Sequence, residues 1–151
     1  MKLIEAFNEI QVKSHFWNWS PDWTLAEEIY SKFPNSYSLL TPFAYSYLEE
    51  LIRSTTSEYG RELFDENGNI KTKRCVGISL INLAIKENED NIDLVKTLND
   101  MKFYFYQSKP TDIGDNRNSV VHGYMHPRFW DVESFEQLIF DIAKLSKYSG
   151  F

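Results

Sequence analysis

Stretch after stretch of this chain carries apolar residues at intervals of three and four, the spacing of helices buried along one face. The clearest stripe is Phe135, Leu138, Ile139, Ile142 and Leu145, which predicts a helix over about 131–147 capped by Asp131. Leu94, Leu98, Met101 and Phe105 predict another over about 91–107. Ile78, Ile81 and Ile85, with Val76, Leu80 and Leu83, predict a third over about 74–87. Nearer the start, Leu3, Ile4, Phe7 and Ile10 give a helical spacing over about 2–12. Ser20-Pro21 opens a helix that closes near Phe33-Pro34, because serine can cap and proline suits the first helical position. By the same logic Thr41-Pro42 opens one that runs to about Ser57. Tyr45, Leu48, Leu51, Ile52 and Thr55 face inward on it, while Glu49, Glu50 and Arg53 lie mostly away.

Between these helices lie polar breaks. Asp65-Glu66-Asn67-Gly68-Asn69 is the clearest turn, since Asn-Gly supplies the positive φ angles that tight turns need. The flanking residues alternate too little for strands, so it reads as a helix–helix loop. Pro110 and Gly114 stop the preceding helix, and Asp115 or Asn116 can cap a short one that ends around Tyr124 to His126, before Pro127. The expectation is an all-α bundle of five or six helices forming a single domain over residues 1–151.

Charge and cysteine content narrow what such a bundle does. A net charge of −6 argues against broad coating of nucleic acid, which needs a large positive field, but leaves room for a local basic patch. Cys75 is the only cysteine, so neither an intramolecular disulfide nor a cysteine-rich zinc site can form. Met1-Lys2-Leu3-Ile4-Glu5 meets a carboxylate too early for the apolar core of a signal peptide. No apolar run approaches the roughly 18–20 residues that span a bilayer. A cytoplasmic protein without membrane contact is therefore expected.

One stretch concentrates reactive side chains: Arg117-Asn118-Ser119-Val120-Val121-His122-Gly123-Tyr124. RNA cleavage without metal requires a base for the 2′-hydroxyl, an acid for the leaving 5′-oxygen, and a cation for the charge that builds on the phosphate. Histidine titrates near neutral pH and serves the first two needs. Arginine serves the third with a planar fork that matches two phosphate oxygens. Asn118 and His122 are four residues apart and would share a helical face, which lets the amide orient the imidazole. Arg117 is five residues from His122, roughly 140° around a regular helix, so one motif presents the pair awkwardly. Two motifs meeting across a two-fold axis would surround a phosphate with two arginines and two histidines, so a homodimer is expected.

Arg117, four intervening residues, His122 and then Tyr124 form an R-x4-H-x-Y pattern, with Asn118 as the polar residue after the arginine. This pattern resembles the HEPN superfamily, and its tyrosine-bearing form is similar to the toxin half of HEPN–nucleotidyltransferase toxin–antitoxin pairs. The resemblance implies a helical bundle that dimerises through its motifs, with no cofactor. It also implies a metal-independent RNase of a toxin–antitoxin, abortive-infection or other phage-defence system, with RNA as substrate. Arg117 and His122 would be catalytic and Asn118 supporting. Tyr124 would match the tyrosine that a partner nucleotidyltransferase modifies with AMP in some pairs. In detail the likeness covers about residues 115–148.

Other readings stand beside this one. His122 could be a satisfied buried histidine and Arg117 half of a structural ion pair. His122 and His126 have a zinc-like spacing with Asp131 nearby, but Pro127 breaks the helix and no HExxH glutamate is present, so no metal is expected. Lys71, Lys73 and Arg74 are the densest basic run, read either as a solvated helix start or as an RNA contact. Phe16, Trp17, Trp19 and Trp23 form an aromatic knot, which packing favours as core or subunit contact over a platform for bases. A HEPN-like domain that is not catalytic, and binds a partner or a nucleotide, is the rival function.

Overall fold

A computed structural model describes residues 1–151. Seven α-helices carry the chain: α1 (Leu3–Lys13), α2 (Ser20–Lys32), α3 (Tyr37–Ser54), α4 (Gly77–Glu87), α5 (Ile92–Met101), α6 (Arg117–Val121) and α7 (Val132–Ser146). Short 3-10 turns occupy Pro34–Ser36, Lys102–Phe105 and Pro127–Phe129. The protein is all-α, with seven helices where five or six were expected. One hydrophobic cluster draws residues from all seven. No helix is long and apolar enough to cross a membrane.

The longest helix, α3, lies at the centre and packs against α4, α6 and α7. Its Leu40, Ala44, Tyr45, Tyr47, Leu48, Leu51 and Ile52 are all buried, so apolar residues wrap most of its circumference. A helix buried on several sides belongs in the middle of a bundle. The outer helix α7 buries the one stripe its sequence predicts, Phe135 through Leu145, against α1, α3 and α5. Burial of each such side chain stabilises the fold by about 1.5–3 kcal/mol.

Several boundaries differ from expectation. Helix α3 begins at Tyr37, and Pro42 lies inside it. Proline lacks the N–H that would bond four residues back, and the Thr41 hydroxyl donates to the Tyr37 carbonyl at 2.7 Å in that turn. Pro34, at the head of the preceding 3-10 turn, is the real start signal. Helix α2 begins at Ser20, with Pro21 in its first turn and no side-chain cap. Helix α5 stops at Met101 and tightens into the 3-10 turn that buries Phe105. Helix α4 begins at Gly77, leaving residues 71–76 outside any helix. At φ +56° Gly77 holds a backbone conformation that side chains with a Cβ resist.

The α3–α4 connection contains the Asn-Gly turn. Asp65 Oδ1 accepts the Asn67 and Asn69 N–H groups at 2.8 and 2.9 Å, and a single antiparallel bridge pairs Phe64 with Ile70. These donors hold the Asp65 carboxyl below the usual carboxylate range. The expected helix–helix loop is present and closes as a minimal hairpin without strands.

Candidate functional site

The loop ahead of α6 is pinned from both sides. Tyr45 on α3 donates to the Gly114 carbonyl at 3.0 Å, and the Asp131 N–H donates to the Ile113 carbonyl at 2.9 Å. Gly114 sits at φ +96°, and a Cβ there would meet the Trp130 side chain at 3.0 Å. Burial and neighbouring carboxylates push the Tyr45 phenol well above its ordinary value, so it stays a neutral donor. Asn116 then starts α6: its Oδ1 accepts the Ser119 N–H at 2.9 Å while its Nδ2 donates to the Tyr106 carbonyl at 2.9 Å. Of the two candidate caps, Asn116 is the one used.

Arg117 is the first residue of α6 and is mostly buried. Its Nε and Nη2 both donate to Glu49 Oε2 on α3, at 3.0 and 2.6 Å, and its Nη1 donates to Asn118 Oδ1 at 3.0 Å. The Arg117 and Glu49 side chains are only 14% and 13% exposed. The other Glu49 oxygen accepts the Gly77 N–H at 2.8 Å, and Asn118 Nδ2 donates to the Tyr106 carbonyl at 3.3 Å. One hydrogen-bonded chain therefore runs from the start of α4 through α3 and α6 to the segment after α5. The ion-pair reading of Arg117 describes its geometry here.

His122 lies differently from expectation. α6 stops at Val121 instead of reaching Tyr124, because Gly123 takes φ +65°. Its N–H bonds the Val120 carbonyl and the Tyr124 N–H bonds the Ser119 carbonyl, the double closure of a helix terminated by left-handed glycine. His122 is thus past the helix, exposed, and in no side-chain hydrogen bond. The expected Asn118–His122 unit does not form, since Asn118 spends its oxygen on Arg117 and its amide on backbone carbonyls. The buried-histidine reading fails as well. Tyr124 is 57% exposed, and Val121 and Phe129 are exposed as well.

The other candidates separate in the same way. Arg74 donates to the carbonyls of Glu58 and Arg61, so it ties the connection together; it is not a free cation at a helix start. Lys71 and Lys73 are exposed and paired with no carboxylate. They stand four to six residues before Gly77, whose N–H Glu49 holds. His126 Nδ1 accepts the Arg128 N–H at 3.2 Å and Asp131 Oδ1 accepts the Ser134 N–H at 2.7 Å, each closing a local turn. No group of three or more His, Cys, Asp or Glu side chains is arranged to hold a metal ion.

The aromatic knot divides. Trp23 is buried, in contact with Phe7, Phe43 and Tyr47, and Trp19 packs on Phe43 and Tyr47. Phe16 and Trp17 stay exposed. Tyr47 and Glu49 point about 200° apart around α3, which puts this cluster and the motif on opposite sides of the helix.

Two open clefts flank the motif, of about 310 and 160 Å³. Both are lined by Asp115 and Phe103. Neither cleft contains the motif's arginine or histidine. Comparison with protein-family models, with curated proteins and with solved structures finds no match for this chain.

The residue that sequence reasoning missed is Glu49. A carboxylate at the edge of an apolar stripe, four residues after Tyr45 and three before Ile52, was the available signal.

Proposed function

We propose that this chain is a HEPN-like, metal-independent endoribonuclease of a toxin–antitoxin or phage-defence type, which cleaves RNA with Arg117 and His122 at a homodimer interface. The observation that carries this reading is the contrast between the two ends of α6: an arginine at its start held by Glu49 and Asn118, and an unengaged, exposed histidine just past its last residue, ahead of the Gly123 stop. Catalysis needs a rigid charge and a free proton carrier, and residues 117–122 supply both.

In the proposed reaction the His122 imidazole of one copy takes the 2′-hydroxyl proton. The 2′-oxygen attacks phosphorus, and the bond to the 5′-oxygen breaks. The protonated His122 of the second copy returns a proton to that oxygen. The products are a 2′,3′-cyclic phosphate and a free 5′-hydroxyl. Arg117 neutralises the charge gained by the non-bridging oxygens. Asn118 holds Arg117, a role different from orienting the histidine. Lys71 and Lys73 supply sequence-independent phosphate contacts as the strand approaches. Exposed Val121, Tyr124 and Phe129 give the second copy an apolar surface around His122. Tyr124 is exposed enough to accept AMP from a nucleotidyltransferase partner.

The test is incubation of pure protein with RNA and analysis of product ends. His122→Ala should lower the cleavage rate by about 10²–10⁴-fold. Because His122 is exposed, its melting temperature should stay that of the wild type. Cleavage should persist in EDTA, and sedimentation should report a dimer. Wild-type protein that leaves RNA intact, or cleavage that survives His122→Ala, would sink the reading.

One observation favours the rival, a non-catalytic HEPN-like dimer that binds a partner or nucleotide. Glu49 neutralises Arg117, as in a purely structural ion pair. That version expects harmless expression of the wild type, whereas the ribonuclease should be toxic and relieved by either Arg117→Ala or His122→Ala.

A further inference from the structure

A guanidinium has five N–H donors, and Arg117 spends three of them. Nε and one N–H of Nη2 go to Glu49, and one N–H of Nη1 goes to Asn118. One N–H remains on each terminal nitrogen. Glu49 is itself fixed, because its second oxygen holds the Gly77 N–H at the start of α4. It cannot swing away from Arg117 without releasing that helix end. Both side chains are mostly buried, so water screens this pair only weakly.

We infer that Glu49 is the positioning residue of this site: it occupies the side edge of the Arg117 guanidinium and reserves the two terminal N–H groups for a phosphodiester of RNA. The inference rests on the ribonuclease reading above. It carries an electrostatic consequence. Glu49 and Arg117 together are neutral, so they attract a singly charged ground-state phosphate weakly. The fixed donors count most when a second negative charge develops on the phosphate during attack. Glu49 thus sacrifices affinity and raises turnover.

The experiment compares wild type, Glu49→Gln and Glu49→Asp in RNA binding and in single-turnover cleavage, with a thermal melt of each. Glu49→Gln keeps the size and removes the charge, leaving Arg117 uncompensated and less firmly oriented. RNA binding at low salt should tighten several-fold, while the single-turnover rate should fall by about 10²-fold, the scale of an ångström-sized misplacement. Glu49→Asp keeps the charge and shortens the reach, so affinity should stay near wild type and the rate should lie between the other two. A merely structural glutamate would lower the melting temperature without tightening binding. Wild-type rate and affinity in Glu49→Gln would overturn the inference, as would weaker binding in a folded Glu49→Gln. If Glu49→Gln does not fold, Glu49→Asp decides alone: a full wild-type rate overturns the proposal. A wild-type protein that binds RNA and cuts none overturns the ribonuclease reading and the inference with it. An active wild type indifferent to Glu49 overturns the inference only.

Discussion

Tyr47 and Glu49 are two residues apart on α3 and belong to two different kinds of structure. Around Tyr47, rings meet rings: Trp19, Trp23 and Phe151 lie within 5.1–5.9 Å of it between centroids. Around Glu49, every partner is a specific N–H at 2.6–3.0 Å. The aromatic side is held by non-directional burial, which tolerates shifts as long as volume is filled. The motif side is held by directional bonds, which fix one arginine in one place and tolerate little. A single helix therefore separates the part that stabilises the fold from the part proposed to act. Losses on the aromatic side should appear in stability, and losses on the motif side in chemistry.

The largest stability effect expected from that contrast is at Trp23. Trp23→Ala should destabilise the fold by about 3–5 kcal/mol in denaturant unfolding. Whatever folded protein remains should keep the wild-type cleavage rate per folded molecule. A rate loss exceeding the lost folded fraction would break the separation between the two sides.

Alkaline pH gives a smaller effect that touches both sides. Burial pushes the phenols of Tyr47 on the aromatic side, and Tyr45 and Tyr104 on the motif side, above their ordinary value. Asp141, which accepts the Tyr104 hydroxyl at 2.7 Å, adds to the shift there. In the folded chain these groups hold their protons more tightly than in the unfolded chain, so raising the pH favours unfolding. Their contribution is complete below an unfolded value of about 10 and is lost as pH climbs above it. Each tyrosine should contribute a decline of up to about 1.4 kcal/mol per pH unit. Melts between neutral and strongly alkaline pH should show the loss, and Tyr104→Phe should flatten it. A flat profile in the wild type would contradict the shifts.

The smallest effect belongs to the exposed end of the aromatic knot. Trp17 is 76% exposed, and Trp17→Ser should change unfolding free energy by no more than about 0.5 kcal/mol. RNA affinity should not move either, because its near neighbour Trp19 packs on Tyr47, on the side of α3 away from Glu49 and Arg117. A measurable drop in RNA affinity would turn the knot back into a binding platform.

Much of the fold is legible in the residues themselves. Leu94, Leu98, Met101 and Phe105 are all buried, as are Phe135, Leu138, Ile139, Ile142 and Leu145. Asp131 caps α7 as its position implied. Pro42 misleads because proline's local preference for a helix start is outweighed by the packing of α3 from Tyr37 onward. The span of α6 misleads for the opposite reason. Gly123 is a stop signal, and counting the motif as one helix passes over it.

What the sequence determined by itself is therefore periodic or local: the helical class, the inward faces of α5 and α7, the caps at Asn116 and Asp131, and the presence of Arg117, His122 and Tyr124 within one short stretch. Those follow from 3.6-residue geometry and from interactions spanning three or four positions. Ile4, Val76 and Ile78, placed on apolar stripes by their spacing, are exposed. Only the tertiary structure decided that Arg117 pairs with a glutamate 68 residues away, and that Trp23 is enclosed while Trp17 is not. Those outcomes depend on which helices meet across the bundle. That is set by the summed packing of the whole core, and no local spacing records it.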